Sequence, residues 1–151
     1  MLYCAYGSNM NLFQMAYRCP NSNIVGTGKL HGWELVFNLH ADIIETEHDN
    51  VTPVVVWDIA DEDWDALDVY EGYPTYYIRR NVEVEFDNEQ KNIATVYVMA
   101  DNQKGVCPPT KRYFDGIIEG CIANGIDVKY LYDALEQSYG SDANNDETIG
   151  W

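Results

Sequence analysis

One acidic side chain and one loop have the residue types and spacing for chemistry on a small molecule. Glu71 lies in residues 67–74 (LDVYEGYP), at the end of a predicted helix and among tyrosines. Burial among aromatic rings removes water from a carboxyl group, raises its pKa toward neutral pH and suits it to proton transfer. Near the N-terminus, Gly7, Ser8 and Asn9 follow a predicted strand and precede a predicted helix. Such a turn exposes backbone N–H groups beside the positive end of a helix dipole, which favours a bound carboxylate. Together these features indicate chemistry on an amino-acid-like substrate.

The elements predicted in the first half of the chain are short. Residues 1–6 form a strand, and residues 11–17 form a helix that Pro20 stops. Residues 33–40 alternate between apolar and polar side chains, as a half-buried strand does. Residues 54–57 are continuously apolar, which predicts a central strand.

The second half begins with a helix that leads to the acidic side chain. Residues 61–63 supply its N-terminal cap and first-turn acids, and Gly72 ends it. Residues 77–86 and 93–99 form a predicted hairpin around an Asp-Asn turn. Antiparallel hairpins mixed with helices predict an α+β fold built on a curled sheet or a small barrel.

Two further helices complete a single domain. Thr110 is the predicted cap of a helix that carries Tyr113 and Ile117 on one face, and Asp127 is the predicted cap of a last helix. The domain is expected to span residues 1–139. Residues 140–151 are expected to be a polar C-terminal tail.

The charge of the chain argues against several classes of partner. Its 151 residues include 25 acidic and 9 basic side chains, for a formal net charge of −16. Such a field repels nucleic-acid phosphates and anionic lipids, so neither a nucleic acid nor a membrane surface is an expected partner. The start has no secretory pattern, and no apolar stretch is long enough to span a bilayer, which predicts a soluble, cytoplasmic protein.

No metal or cofactor site is predicted. The cysteines are scattered singly, which favours reduced, mostly buried thiols over a zinc site or disulfides, and the histidines fit no zinc motif. Asp142, Asn144 and Asp146 alternate as in a calcium loop, but Glu147 stands where the loop requires glycine.

Several motifs together resemble the γ-glutamylcyclotransferase-like (AIG2-like) family. They are YGSNM at residues 6–10, RCP at 18–20, VVWDI at 55–59, LDVYEGYP at 67–74 and YIRR at 77–80. A Gly-Ser-Asn turn is common by itself. Its combination with LDxYEGxP at this separation is specific. The resemblance spans about residues 1–125.

The resemblance implies a small mixed, mostly antiparallel β-barrel flanked by helices. It also implies conversion of γ-glutamyl compounds to 5-oxoproline with release of an amine. By motif, Glu71 takes the place of the family's catalytic acid. The family's substrate-binding residues correspond to Tyr6, Gly7, Ser8, Asn9, Tyr77 and Tyr113. Val54 stands where many members have glycine, so the sequence does not determine the size of the pocket. The sequence also does not determine which amine the reaction releases. It does not decide between a monomer and the homodimer that some members form.

The implied reaction suits these residue types. The α-amine of the substrate attacks its own γ-carbonyl group, so the enzyme mainly has to hold the substrate curled. Glu71 would move the protons, and the loop amides would hold the α-carboxylate. A hydroxyl of Tyr77 or Tyr113 would donate to the oxyanion. The alternative is a non-catalytic binder of a small amino-acid-like ligand in the same pocket.

Overall fold

The computed structural model describes residues 1–47 and 49–140. Five strands in this part of the chain form a closed barrel: β1 (Leu2–Ala5), β2 (Asn23–His31), β5 (Val51–Asp58), β6 (Tyr77–Phe86) and β7 (Lys91–Met99). Two more strands form a separate small sheet: β3 (Trp33–Asn38) and β4 (His40–Glu45). The α-helices are α1 (Leu12–Arg18), α2 (Trp64–Glu71), α3 (Lys111–Ala123) and α4 (Lys129–Gln137).

The barrel is mixed and mostly antiparallel, which confirms the predicted fold class. Its strands follow the order β1-β5-β2-β6-β7, and the parallel pairing of Tyr3 with Thr95 joins β1 to β7. The other strand pairs of the barrel are antiparallel. Closure pairs the edge strands, which would otherwise expose unpaired N–H and C=O groups.

The core fills the barrel and the space beneath the helices. Val54, Val55 and Val56 of β5 are fully buried, as their continuous apolar run predicts for a central strand. Phe114 and Ile117 of α3 are also fully buried. The four cysteines are free and three of them are buried, in agreement with the sequence. No helix within the described residues is long and apolar enough to cross a bilayer.

The prediction of one strand over residues 33–40 is wrong at the C-terminal end of that strand. β3 stops at Asn38, and β4 begins at His40 and returns antiparallel to β3. The connecting residue, Leu39, has a φ of 70°. Glycine or asparagine usually marks such a tight turn, and leucine gives no turn signal. The Leu39 N–H instead donates to the Cys107 C=O at 2.8 Å, a contact between distant parts of the chain.

The predicted caps are right at α3 and different at α2. Thr110 caps α3, because its hydroxyl accepts the Tyr113 N–H. Asp63 precedes α2 but makes no side-chain cap bond there. Its carboxylate instead accepts the Asn21 N–H at 2.9 Å and the Ser22 hydroxyl at 2.8 Å, which fixes the turn between α1 and β2. The structure does not describe residues 141–151, so all but the first residue of the predicted tail, including its acidic residues, lies outside the described part of the chain.

Helix α3 packs directly against the backbone that follows β1. A Cβ atom built at Gly120 would lie 2.7 Å from the Met10 carbonyl carbon and 2.8 Å from the Asn11 nitrogen. The Asn11 side-chain amide donates to the Gly116 C=O at 3.0 Å. Only a residue without a side chain permits this approach. The helix therefore holds the N-terminal loop in place.

We expect Gly120→Ala to destabilise the protein by about 1–3 kcal/mol, because the new methyl group meets rigid backbone. Gly116→Ala is the matched control on the same helix. A Cβ at Gly116 would contact the amide nitrogen of Gln14 at 3.0 Å, the end of a flexible side chain. Its gain in helix propensity, up to about 1 kcal/mol, should make it neutral or stabilising. Urea unfolding checks both variants, and equal losses would contradict this account of the packing.

Candidate active site

A pocket of about 320 Å³ brings all the predicted site residues together. The loop after β1, the end of α2 and the start of β4 form its walls, and its volume is near the lower end for ligand sites. The predicted residues in its lining are Tyr6, Gly7, Ser8, Asn9, Glu71, Tyr77 and Tyr113. Within the described lining, Glu71 carries the one carboxyl group.

Glu71 is the last residue of α2 and contacts the N-terminal loop. Gly72 ends the helix with a φ of 67°, a conformation that favours glycine. The Glu71 Oε1 atom accepts a hydrogen bond from the Asn9 side-chain amide at 3.0 Å. The acid and the loop that the sequence singled out therefore meet, although 62 residues separate them along the chain.

Burial raises the pKa of Glu71 to about 7, the direction that its aromatic surroundings predict. The residue keeps a partly exposed position at the pocket, but loss of hydration is the largest cause of the shift. The positive charge of Arg18 acts in the opposite direction, and the negative charge of Asp68 adds to the rise. At neutral pH such a carboxyl group can both accept and donate a proton.

The loop contains a short helical turn that the sequence did not predict, while the helix expected over residues 11–17 forms almost as predicted. Ser8–Met10 form one 3₁₀ turn, and α1 begins only at Leu12, after Asn11. The Asn11 side chain caps α1 by accepting the Gln14 N–H at 3.1 Å. The first residue of α1 therefore lies three residues after Asn9.

The three residues of the loop line the same pocket as Glu71. The N–H groups of Gly7, Ser8 and Asn9 donate to no acceptor within residues 1–47 and 49–140. Gly7 also allows a close approach, because a Cβ there would lie 3.2 Å from the Ala41 Cβ and 3.4 Å from the Tyr113 hydroxyl. Three backbone donors that have no acceptor among the described residues suit a carboxylate.

The two tyrosines that the sequence left as alternatives bind the same backbone residue in opposite ways. The Tyr113 hydroxyl accepts the Ala41 N–H at 3.0 Å. The Tyr77 hydroxyl donates to the Ala41 C=O at 2.5 Å. Tyr113 therefore keeps its hydroxyl proton for another acceptor, whereas that of Tyr77 is already used. Tyr6 resembles Tyr77, because its hydroxyl donates to the Tyr97 C=O at 2.6 Å.

Several pocket residues were not predicted as site residues. The Tyr3 hydroxyl accepts a hydrogen bond from the Asn9 side-chain amide at 2.9 Å. The position of Tyr3 in β1, just before the loop, is the sequence feature that could have identified it as a pocket residue. His40 and Ala41 begin β4, which the sequence did not reveal. The His40 Nδ1 atom shares a hydrogen bond of 2.8 Å with the Tyr76 hydroxyl. Tyr97 reaches the pocket from β7.

Val54 does not narrow the pocket. It is fully buried in β5, outside the lining, and pairs with Gly28 of β2. A Cβ at Gly28 would lie 2.8 Å from a methyl carbon of Val84. In this barrel it is Gly28, on the strand next to Val54, that allows β2 and β6 to approach each other closely.

The raised pKa of Glu71 predicts that its charge costs stability. The unfolded state ionises Glu71 near pH 4.3, but the folded state holds the proton to about pH 7, so stability falls as pH rises between these values. Glu71→Gln cannot ionise and can still accept from Asn9. We expect it to be more stable than the wild type by about 1–3 kcal/mol at pH 8, and by little at pH 4.

Urea unfolding at both pH values measures this difference. Glu83→Gln, which removes the same charge from an exposed position on β6, is the control. An advantage of Glu71→Gln that is equal at pH 4 and pH 8 would contradict the assigned pKa.

Solved structures share the fold over nearly the whole chain. A structure of an uncharacterised human protein is 24% identical with a TM-score of 0.79, and one named γ-glutamyl cyclotransferase is 23% identical with a TM-score of 0.78. Each match covers 88% of this chain and 85% of the other. A yeast γ-glutamyl cyclotransferase specific to glutathione is 15% identical with a TM-score of 0.63, over 91% of this chain and 95% of the other. These likenesses show the fold alone.

The family follows from the sequence itself. No curated protein matches the chain. The model of the family described as "Gamma-glutamyl cyclotransferase, AIG2-like" matches residues 3–115, which include the N-terminal loop, Glu71 and Tyr113. The match covers well over half of the 151 residues. The chain therefore belongs to the AIG2-like γ-glutamyl cyclotransferase family.

Proposed function

We propose that this protein is a γ-glutamyl cyclotransferase, which converts a γ-glutamyl compound to 5-oxoproline and a free amine. The observation that carries the proposal is the contact between Glu71, whose pKa is raised to about 7, and a loop whose amides have no acceptor in the part of the chain that the structure describes. A γ-glutamyl group has an α-carboxylate and an α-ammonium on one carbon. An anion-binding loop beside a carboxyl group matches both.

The proposed binding mode places the two charged groups of the substrate at the two parts of the site. The α-carboxylate accepts from the amides of Gly7, Ser8 and Asn9, and the α-ammonium lies against Glu71. This holds the α-amine near the γ-carbonyl carbon, and the small volume of the pocket favours the curled substrate. Both reacting groups belong to one molecule, so the proposed reaction requires neither a metal nor a cofactor.

Proton transfer then follows from the properties of Glu71. Its carboxylate removes a proton from the α-ammonium, and the free amine attacks the γ-carbonyl carbon to form the new C–N bond. The carboxylic acid returns the proton to the leaving nitrogen as the old C–N bond breaks. The regenerated carboxylate then takes the second proton from the ring nitrogen and passes it to the released amine. The α-nitrogen loses two protons overall and the leaving nitrogen gains two, so the reaction needs no external acid or base. The free hydroxyl proton of Tyr113 supports a hydrogen bond to the oxyanion.

Removal of the Glu71 carboxyl group should slow this chemistry strongly. We expect Glu71→Gln to lower 5-oxoproline formation by about 10²–10⁴-fold while the fold is kept. For the wild type, kcat/KM should fall as pH drops below about 7, because the carboxylate that accepts the α-ammonium proton is lost. Detection of 5-oxoproline from γ-glutamyl-alanine and γ-glutamyl-ε-lysine measures both effects. Turnover retained in Glu71→Gln would remove Glu71 from this role.

The same two compounds distinguish an enzyme from a binder. A catalyst forms 5-oxoproline from at least one of them. A non-catalytic binder is stabilised against thermal unfolding by a compound that it does not convert. That outcome would overturn the proposal and favour the alternative.

The opposite hydrogen bonds of the two tyrosines predict different effects of removing each hydroxyl. Both Tyr113→Phe and Tyr77→Phe remove one bond to Ala41, but only Tyr113→Phe removes a free donor from the pocket. We expect Tyr113→Phe to lower kcat by about 10²-fold. Tyr77→Phe should act mainly on stability, by about 1–3 kcal/mol, because the Ala41 C=O loses its buried donor. Steady-state kinetics and urea unfolding of both variants test this, and a larger kcat loss in Tyr77→Phe would reverse the assignment.

A further inference from the structure

Arg18, the last residue of α1, contacts the groups around Glu71 without lining the pocket. Its Nη1 atom donates to the Asn9 Oδ1 atom, and its guanidinium carbon lies 3.3 Å from the centre of the Tyr70 ring. We propose that Arg18 is a positioning residue, which through Asn9 holds the Glu71 carboxyl group against the N-terminal loop. This inference rests on the proposed role of Glu71 and adds a residue that the motifs did not assign to the site.

The chemistry of the arginine side chain fixes the orientation of the Asn9 amide. A guanidinium group has donors and no acceptor, so the amide oxygen of Asn9 must face Arg18. The amide nitrogen then points the other way, where it donates to the Tyr3 hydroxyl at 2.9 Å and to Glu71 at 3.0 Å. A rotated amide would direct its oxygen at the Glu71 carboxylate, and two acceptors would repel each other.

The guanidinium group also joins the two segments that form the site. It binds Asn9 of the loop on one side and stacks on Tyr70 of α2 on the other. The Tyr70 hydroxyl in turn shares a hydrogen bond of 2.7 Å with the Ser8 Oγ atom. Since Tyr70 immediately precedes Glu71, loss of the arginine would loosen the helix end that presents the carboxyl group.

The charge of Arg18 acts on Glu71 as well. The titratable and charged groups that face Glu71 are Arg18 from α1, Asp68 from α2, Tyr3 from β1, Tyr6 from the segment after β1, Tyr77 from β6 and Tyr113 from α3. Among these described groups, Arg18 is the one cation, and it lowers the pKa of Glu71 against the effect of burial. Without it, the carboxylate form would be less populated at neutral pH.

Arg18→Met tests the proposal, with Arg80→Met as the matched control. Each change removes one positive charge, but Arg80 lies on β6 and pairs with the exposed Glu45 at 2.7 Å. We expect Arg18→Met to raise the midpoint of Glu71 ionisation and to lower kcat by about 10–100-fold, with a smaller change in KM. Arg80→Met should leave both unchanged. Carbon-13 NMR of carboxyl-labelled glutamate follows the ionisation, with Glu71→Gln to assign the signal, and 5-oxoproline release gives the kinetics.

A second variant separates the hydrogen bond from the charge. Arg18→Gln keeps a donor toward Asn9 but is neutral, so the Glu71 midpoint should rise as in Arg18→Met while less kcat is lost. It also carries the test if Arg18→Met fails to fold. An unchanged kcat in the folded Arg18 variants overturns the proposal, as does an equal loss of kcat in Arg80→Met or an unchanged Glu71 midpoint in the folded Arg18 variants. If the wild type forms no 5-oxoproline, the proposed function fails, and the NMR titration still decides the role of Arg18.

Discussion

The hydrogen bond between the Asn9 amide and the Glu71 carboxyl group is the contact on which the candidate site depends. It joins a loop after the first strand to the end of α2, and neither segment forms a pocket alone. The barrel supports the loop side, because the Trp57 Nε1 atom donates to the Asn9 C=O at 3.0 Å. Helix α3 supports the same loop through the close approach of Gly120 to Met10.

The ionisation of Glu71 reflects opposing effects of its surroundings. Burial raises its pKa and Arg18 lowers it, while Asp68 adds to the rise. Asp68 also has a structural role, since its carboxylate accepts from the Arg79 guanidinium group at 3.0 and 2.5 Å and from the Tyr97 hydroxyl at 2.5 Å. These bonds attach α2 to β6 and β7. Asp68 thus both anchors α2 and favours the protonated form of Glu71. Because burial makes the ionised form of Glu71 unfavourable, a site suited to proton transfer lowers the stability of the folded protein.

Sequence patterns predicted the fold best where local signals were strong. The hairpin of β6 and β7 and the end of α2 at Gly72 followed from alternation and from a helix-ending glycine. Strand β2 was largely missed because most of its side chains are exposed or half-buried, and a register shift between Ile24 and Gly26 interrupts it. Strand β4 was missed because Leu39 gives no turn signal, and His40 and Ala41 of the pocket were missed with it.

The sequence by itself determined the chemistry available: a glycine-containing loop, an acid among tyrosines, and a motif spacing that indicated the family. These properties depend on residue types and local order, which the chain carries directly. Only the tertiary structure decided which groups meet, because hydrogen bonds between distant segments depend on how the barrel closes. It distinguished Tyr113, which accepts from Ala41, from Tyr77, which donates to it. It also placed Arg18 behind Asn9, where no sequence periodicity could have located it.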